Sequence, residues 1–221
     1  MINSGRWHGV RDRVLRLADS PGPDEVFARH AHGFALEAPL TEAEVTEAEE
    51  HVGIRLPEAY RTFLSQVGAG GAGPAYGLIA LRRTTDGWDW PAEDSHRTET
   101  TRLGEPFTPR HIEGRPVGHL DLREPVQYDF EYRDDFQVQH NRWQKTLWHP
   151  DRTAGAIFLC DQGCLRGYWL VVSGDERGMI WEDNRIDGTD LSPLFDAGGD
   201  RLTFSRWYLD WLRRAEDQMG R

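Results

Sequence analysis

The residues most able to carry chemistry begin with a glycine run. Gly68-Ala69-Gly70-Gly71-Ala72-Gly73 spells G-x-G-x-x-G. Such a run cradles a pyrophosphate when it follows a strand and opens a helix, because the helix N-terminus then faces the phosphates. Here it follows a helical stretch and leads into Pro74 and an apolar extended run. The context is reversed, and no cofactor is implied. Cys160 and Cys164 are separated by Asp161-Gln162-Gly163. Paired zinc thiolates usually stand two residues apart, with a second pair or histidines nearby. Cys160 closes an apolar run and reads as a small buried hydrophobe. His30 and His32, with His51 downstream, would share one face only on a strand. His30 falls at a helix end, and no carboxylate or thiol completes a ligand set. His140 and His149-Pro150-Asp151 raise the question of a triad, but no serine stands in a G-x-S-x-G elbow. Asp134-Asp135 has the groups for acid–base work, yet adjacent acids on a surface loop are ordinarily just solvated. No catalytic, cofactor-binding or metal residue is assigned, and the chain is expected not to be an enzyme.

Aromatics interleaved with acids suggest binding instead. Trp88 and Trp90 flank Asp89 in a segment bounded by Gly87 and Pro91. Further on, Tyr128, Phe130 and Tyr132 alternate with Asp129 and Glu131, and Asp134 and Asp135 follow. Aromatic side chains anchor interfaces, and acids steer a basic partner toward them. The candidate protein-binding set is therefore Trp88, Asp89, Trp90, Tyr128, Asp129, Glu131, Asp134 and Asp135. The competing reading is a strand and loop packed on a sheet, with an ordinary acidic outer face.

The elements that must position these residues are partly legible. Trp7, Val10, Val14 and Leu17 predict a short first helix, ended by Ser20-Pro21-Gly22-Pro23. A second helical stretch runs from Asp24 to about His30, and Phe34 to Leu36 reads as extended. Thr41 and Glu44 form a capping box, with Leu40 placed to staple onto Val45. Val45, Ala48 and Val52 mark the buried face, and Gly53 ends the helix. Pro57 suits the first position of the next helix. Tyr60, Phe63, Leu64 and Val67 give that helix its apolar stripe. Leu78 to Leu81 reads as a strand, and Val126 to Arg133 alternates with period two. Three more strands are expected at Ala156–Cys160, Tyr168–Val172 and Met179–Trp181, with Ser173–Gly178 as a hairpin loop. Phe204, Trp207, Tyr208, Trp211, Leu212 and Ala215 mark an amphipathic closing helix.

Composition sets the outer limits. A chain of 221 residues with 38% hydrophobic content is long enough for one domain with a real core. Its net charge of −11 repels phosphate backbones and anionic lipids, which argues against nucleic acid and membrane as partners. No apolar stretch reaches membrane-spanning length, and no apolar run of the secretory type follows the N-terminus, so a cytoplasmic location is expected. A monomer is expected because no long apolar seam is visible.

The order of these elements resembles the SUKH superfamily, which includes the Smi/Knr-type cell-wall regulators and many bacterial proteins. The resemblance rests on Leu40-Thr41-x-x-Glu44-Val45 and on Glu49-x-x-Val52-Gly53-Ile54-x-Leu56-Pro57-x-x-Tyr60-x-x-Phe63-Leu64. Gly70, Gly71, Gly163-Cys164, Leu170-Val171-Val172-Ser173-Gly174, Gly178-Met179-Ile180-Trp181 and Trp207-Tyr208-x-x-Trp211-Leu212 add to it. It implies an α+β fold, with a twisted, mainly antiparallel sheet and helices packed against it. It divides the single domain, 1–221, into an N-terminal helical extension (1–37), a family-like core (38–81 and 155–215) and a variable segment (82–150). It carries over no catalytic residues. It implies an immunity-type protein that binds and neutralises a bacterial toxin of nuclease or deaminase class. The alternatives are a regulatory or scaffold protein with a housekeeping partner, and a small-molecule-binding or hydrolytic enzyme.

Overall fold

The structure, a computed structural model, describes residues 5–19, 29–92, 97–108, 141 and 144–220. The 24–28 part of the helical stretch expected from Asp24 to about His30, the alternating run at 126–133, His140, and the site candidates Tyr128, Asp129, Glu131, Asp134 and Asp135 lie outside the described residues.

The helical layer follows local sequence closely. Helix α1, Val10–Ala18, buries Val10, Val14 and Leu17. After the single turn α2, Arg29–His32, comes α3, Glu42–Val52. Thr41 Oγ1 accepts the Glu44 N–H while the Glu44 carboxylate accepts the Thr41 N–H at 2.8 Å. Two otherwise orphaned helix donors are thereby satisfied. Gly53 closes the helix at φ 71°, a conformation that costs glycine little. Helix α4, Glu58–Gln66, begins one residue later than Pro57 suggested. Pro57 is the N-cap, with ψ 132°, and not the first helical residue. The closing helix α5, Phe204–Gln218, is capped by Thr203 and buries Phe204, Trp207, Tyr208, Trp211, Leu212 and Ala215.

Aromatic rings join α4 and α5 to each other and to the residue ahead of α1. Phe63 of α4 meets Tyr208 and Phe204 of α5 at centroid distances of 4.7 and 5.3 Å, both edge-on. Trp7, just ahead of α1, meets Phe63 at 5.2 Å. Such pairs contribute roughly 0.5–1.5 kcal/mol each beyond area burial. A two-pronged Arg13–Glu216 ion pair also ties α1 to α5. The stretch 1–37 is thus not an appendage where it is described: Trp7, Val10, Val14, Leu17 and Phe34 all belong to the main core.

A four-stranded antiparallel sheet lies under the helices, ordered β3 (Ala156–Gly163), β4 (Arg166–Val171), β5 (Ile180–Asp183), β6 (Ser192–Pro193). A bulge between Phe158 and Cys160 slips the β3 register by one residue. Leu159 and Cys160 consequently both enter the main core with Ile157, Leu170, Val172 and Ile180. The other face carries Ala156, Phe158, Trp169, Val171 and Trp181, closed by Phe107 and Leu191. A separate hairpin of β1 (Arg82–Thr84) and β2 (Gly87–Asp89) lies against α3.

Two extended segments depart from expectation. Leu78 to Leu81 is no strand, because its hydrogen bonds go to three different partners. Leu78 pairs with Gly71, Ile79 N–H donates to Leu159, and Leu81 N–H donates to Ala69. The segment still covers the outer edge of β3, where Thr98 Oγ1 accepts the Phe158 N–H. An edge so covered is closed to strand addition. Phe34 is left-handed at φ 57°, so only Leu36 of the 34–36 stretch pairs, in a single bridge to Gly71.

Candidate functional site

The aromatic candidates near the first hairpin are core residues. Trp90 is fully buried and its indole N–H donates to Tyr60 Oη at 2.7 Å. Trp88 is 4% exposed, between α3 and the Arg83 guanidinium, which stands 5.3 Å from its ring. Asp89 is half-buried, accepts the Trp90 N–H and lies 3.9 Å from Arg97. Neither tryptophan offers a ring to a partner. The competing reading, a strand packed on the fold, describes these two.

The glycine run resolves into packing as well. It threads between two backbone segments. A Cβ on Gly70 would sit 2.5 Å from Ala80 Cα, and one on Gly71, at φ 102°, 2.5 Å from the Ala35 carbonyl oxygen. These glycines allow three chain segments to touch, and the loop opens no helix. Cys160 is buried and burial pushes its thiol up; Cys164 is exposed. His30 and His32 share the one-turn α2, while His51 lies against Gly87. No group of three His, Cys, Asp or Glu among the described residues could hold a metal ion. His149 Nδ1 and Asp151 are 3.4 Å apart, but Arg102 engages the same carboxylate at 2.7 Å.

What stands out lies elsewhere, at one end of the sheet. The β3–β4 connection is a two-residue turn, Cys164-Leu165, between the paired Gly163 and Arg166. Cys164 has φ 53° and Leu165 φ 60°. Two-residue hairpins of the type I′ kind need positive φ at both positions, which Asn-Gly supplies. An L-residue with a Cβ pays on the order of 1–2 kcal/mol at each such position. Leu165 is also 40% exposed, so burial does not offset that strain.

Both flanks of the turn show apolar side chains. Tyr76, 40% exposed, donates its N–H to Asp161, and its ring lies 3.0 Å from where a Gly163 Cβ would stand. On the other flank Ile186 is 44% exposed. It rides on a 3-10 turn, Arg185–Asp187, that a buried ion pair fixes. The Arg185 guanidinium grips the Asp183 carboxylate at 2.6 and 2.9 Å and also donates to the Leu147 carbonyl. The Trp169 indole N–H donates to Asp183 at 2.9 Å. Burial alone would raise the Asp183 carboxyl, but Arg185 and Trp169 bring it below the ordinary carboxylate value.

Carboxylates ring this end. Asp161 accepts the Gly163 N–H, Glu182 accepts from Gln162 at 3.2 Å, and Asp187 pairs with Arg166 at 2.6 Å. The hydrogen bond and charge of Asp187 hold the Arg166 guanidinium more firmly protonated. The sequence reading missed this surface. Its one signal is a Cys-Leu pair where a tight hairpin calls for Asn-Gly.

A comparison with known protein families matches the chain to the SMI1 / KNR4 family (SUKH-1) over residues 39–197. That is well over half the chain. It starts just before the Thr41 capping box, runs through the 82–150 segment, and leaves α1, α2 and α5 outside. No curated protein and no solved structure matches.

Proposed function

The chain belongs to the SMI1 / KNR4 family (SUKH-1), and on that premise we propose that it is a protein-binding module of the immunity type. It neutralises a basic toxin domain, of nuclease or deaminase class, by occluding it, with no chemistry of its own. The observation that carries this reading is the net charge of −11 on a member of this family. A surface with that excess attracts basic partners and accelerates their encounter, and the attraction weakens as salt rises. Among the described residues no helix is long and apolar enough to cross a membrane. The glycine run and Cys160 serve packing.

The test is a pull-down with the full chain from its native lysate at low and high ionic strength, read by mass spectrometry. A basic protein retained at low salt and released at high salt is expected. An enriched housekeeping protein, indifferent to salt, would replace the immunity reading with a regulatory one.

A further inference from the structure

We infer that the end of the sheet bearing the Cys164-Leu165 turn, flanked by Tyr76 and Ile186, is the docking surface for a basic protein segment carrying an apolar anchor. The inference rests on the protein-binding reading above and gives that binding a place.

Three observations converge on it. First, the turn holds two side chains in a backbone conformation that glycine or asparagine would adopt with less strain. A strained turn that buried its leucine would be explained by packing. This one shows Leu165 to solvent, so packing does not explain the strain, and strain retained at an exposed point marks function. Second, Tyr76, Leu165 and Ile186 are three of the four large hydrophobic residues exposed among the described residues. The fourth, Phe195, lies apart on the Phe195–Arg201 bridge, with the Arg201 guanidinium 5.5 Å from its ring. Third, the charge around the three is negative. Among the described residues Asp161, Glu182 and Asp187 outnumber Arg166, which pairs with Asp187, and Arg214, whose charge reaches Tyr168 beside Glu182. Apolar anchors inside an acidic rim fit a partner with the reverse pattern: an apolar side chain inside a basic rim.

The surface is also preorganised. The buried Asp183–Arg185 pair holds the Ile186 turn, the Asp161 carboxylate braces Gly163, and the Tyr76 backbone is bonded to β3. Little ordering remains to be done when a partner arrives.

The decisive variant is Cys164→Asn with Leu165→Gly, because a purely structural turn and a docking turn respond to it in opposite ways. Relief of strain should raise the thermal midpoint by several degrees, about 2–4 °C for each kcal/mol recovered in a chain of this size. Removal of the leucine should weaken binding at least tenfold. The binding probe is a short amphipathic peptide of lysine and leucine, titrated against the full chain with amide hydrogen exchange to map it. Protection is expected at 161–166, 182–187 and around Tyr76, weakening with salt. Ile186→Asp, which leaves the turn intact, should weaken the peptide to a similar extent. Protection confined to the glutamate face of α3, unchanged affinity in both variants, or no peptide binding would overturn the inference. The two readings fail separately. A basic partner from the lysate whose binding ignores both variants removes this surface and leaves the immunity reading standing. A peptide that maps to the tip, with no basic partner in the lysate, does the reverse.

Discussion

On the helix-covered face of the sheet, Ile157, Leu159, Leu170 and Ile180 join Tyr60, Phe63, Phe204 and Tyr208 in one apolar core. On the opposite face, among the described residues, Phe158, Trp169 and Trp181 pack with Phe107, Leu191 and short irregular segments, beside the buried Asp183–Arg185 pair. The first face is held by shape and aromatic edges. The second is pinned by charge: Arg185 reaches the Leu147 carbonyl, its guanidinium lies 4.5 Å from the Trp148 ring, and Arg152 pairs with Asp190. Segments too short to bury a stripe of their own use arginines to attach themselves to the sheet. A buried pair of this kind adds little net stability over an apolar replacement, but it leaves an uncompensated charge when only one partner is removed.

The contrast predicts unequal responses to mutation. The largest effect belongs to the charged face. Asp183→Ala strands the Arg185 guanidinium and the Trp169 N–H, and should cost about 3–5 kcal/mol in chemical denaturation. Replacing Asp183 and Arg185 together by apolar residues should recover most of that loss. If the double variant is as weak as the single one, the face is not held by the pair.

A smaller loss tests the apolar face. Tyr208 Oη donates to the Ala72 carbonyl at 2.9 Å inside the core. Tyr208→Phe keeps the ring contacts and leaves that acceptor bare, for about 1–3 kcal/mol. A loss well above that range would mean that the ring packing had also changed.

A third effect is a pH slope. His32 lies against Phe34 and Trp211, and its Nδ1 accepts the Phe34 N–H. Burial, with a lesser contribution from His30, lowers its pKa to about 4. An unfolded histidine titrates near 6.5, roughly. Between those values the unfolded chain binds the proton that the folded chain refuses. Stability contributed by the neutral ring is therefore full above about pH 6.5 and is lost as pH falls toward 4. The thermal midpoint should drop over that window, and less steeply in His32→Asn, which retains an acceptor for Phe34. Equal slopes in the two proteins would assign the acid sensitivity to other groups.

Where the sequence reading succeeded, the signal was local. Thr41 with Glu44 specifies a helix start within one turn, and Phe204 through Ala215 specifies a buried helix face by spacing alone. The strand at Ala156 was legible because a continuous apolar run between turn residues has few other uses. Where the reading failed, partners distant in sequence decided. Trp88 and Trp90 looked available because their neighbours are Gly87, Asp89 and Pro91. The hydroxyl that takes the Trp90 N–H belongs to Tyr60, thirty residues earlier. Leu78 to Leu81 looked like a strand because it is apolar, but a ladder needs one continuous neighbour and this run has three partial ones.

The sequence by itself determined the α+β class, the caps, the buried helix faces and an acidic surface charge, because each depends on residue type, on neighbours within a turn, or on a simple sum. Only the tertiary structure decided which aromatics are buried, which carboxylate shares the interior with an arginine, and which hairpin end stands exposed in a strained turn. Each of these depends on what the chain brings alongside from far away, and no local pattern encodes a distant neighbour.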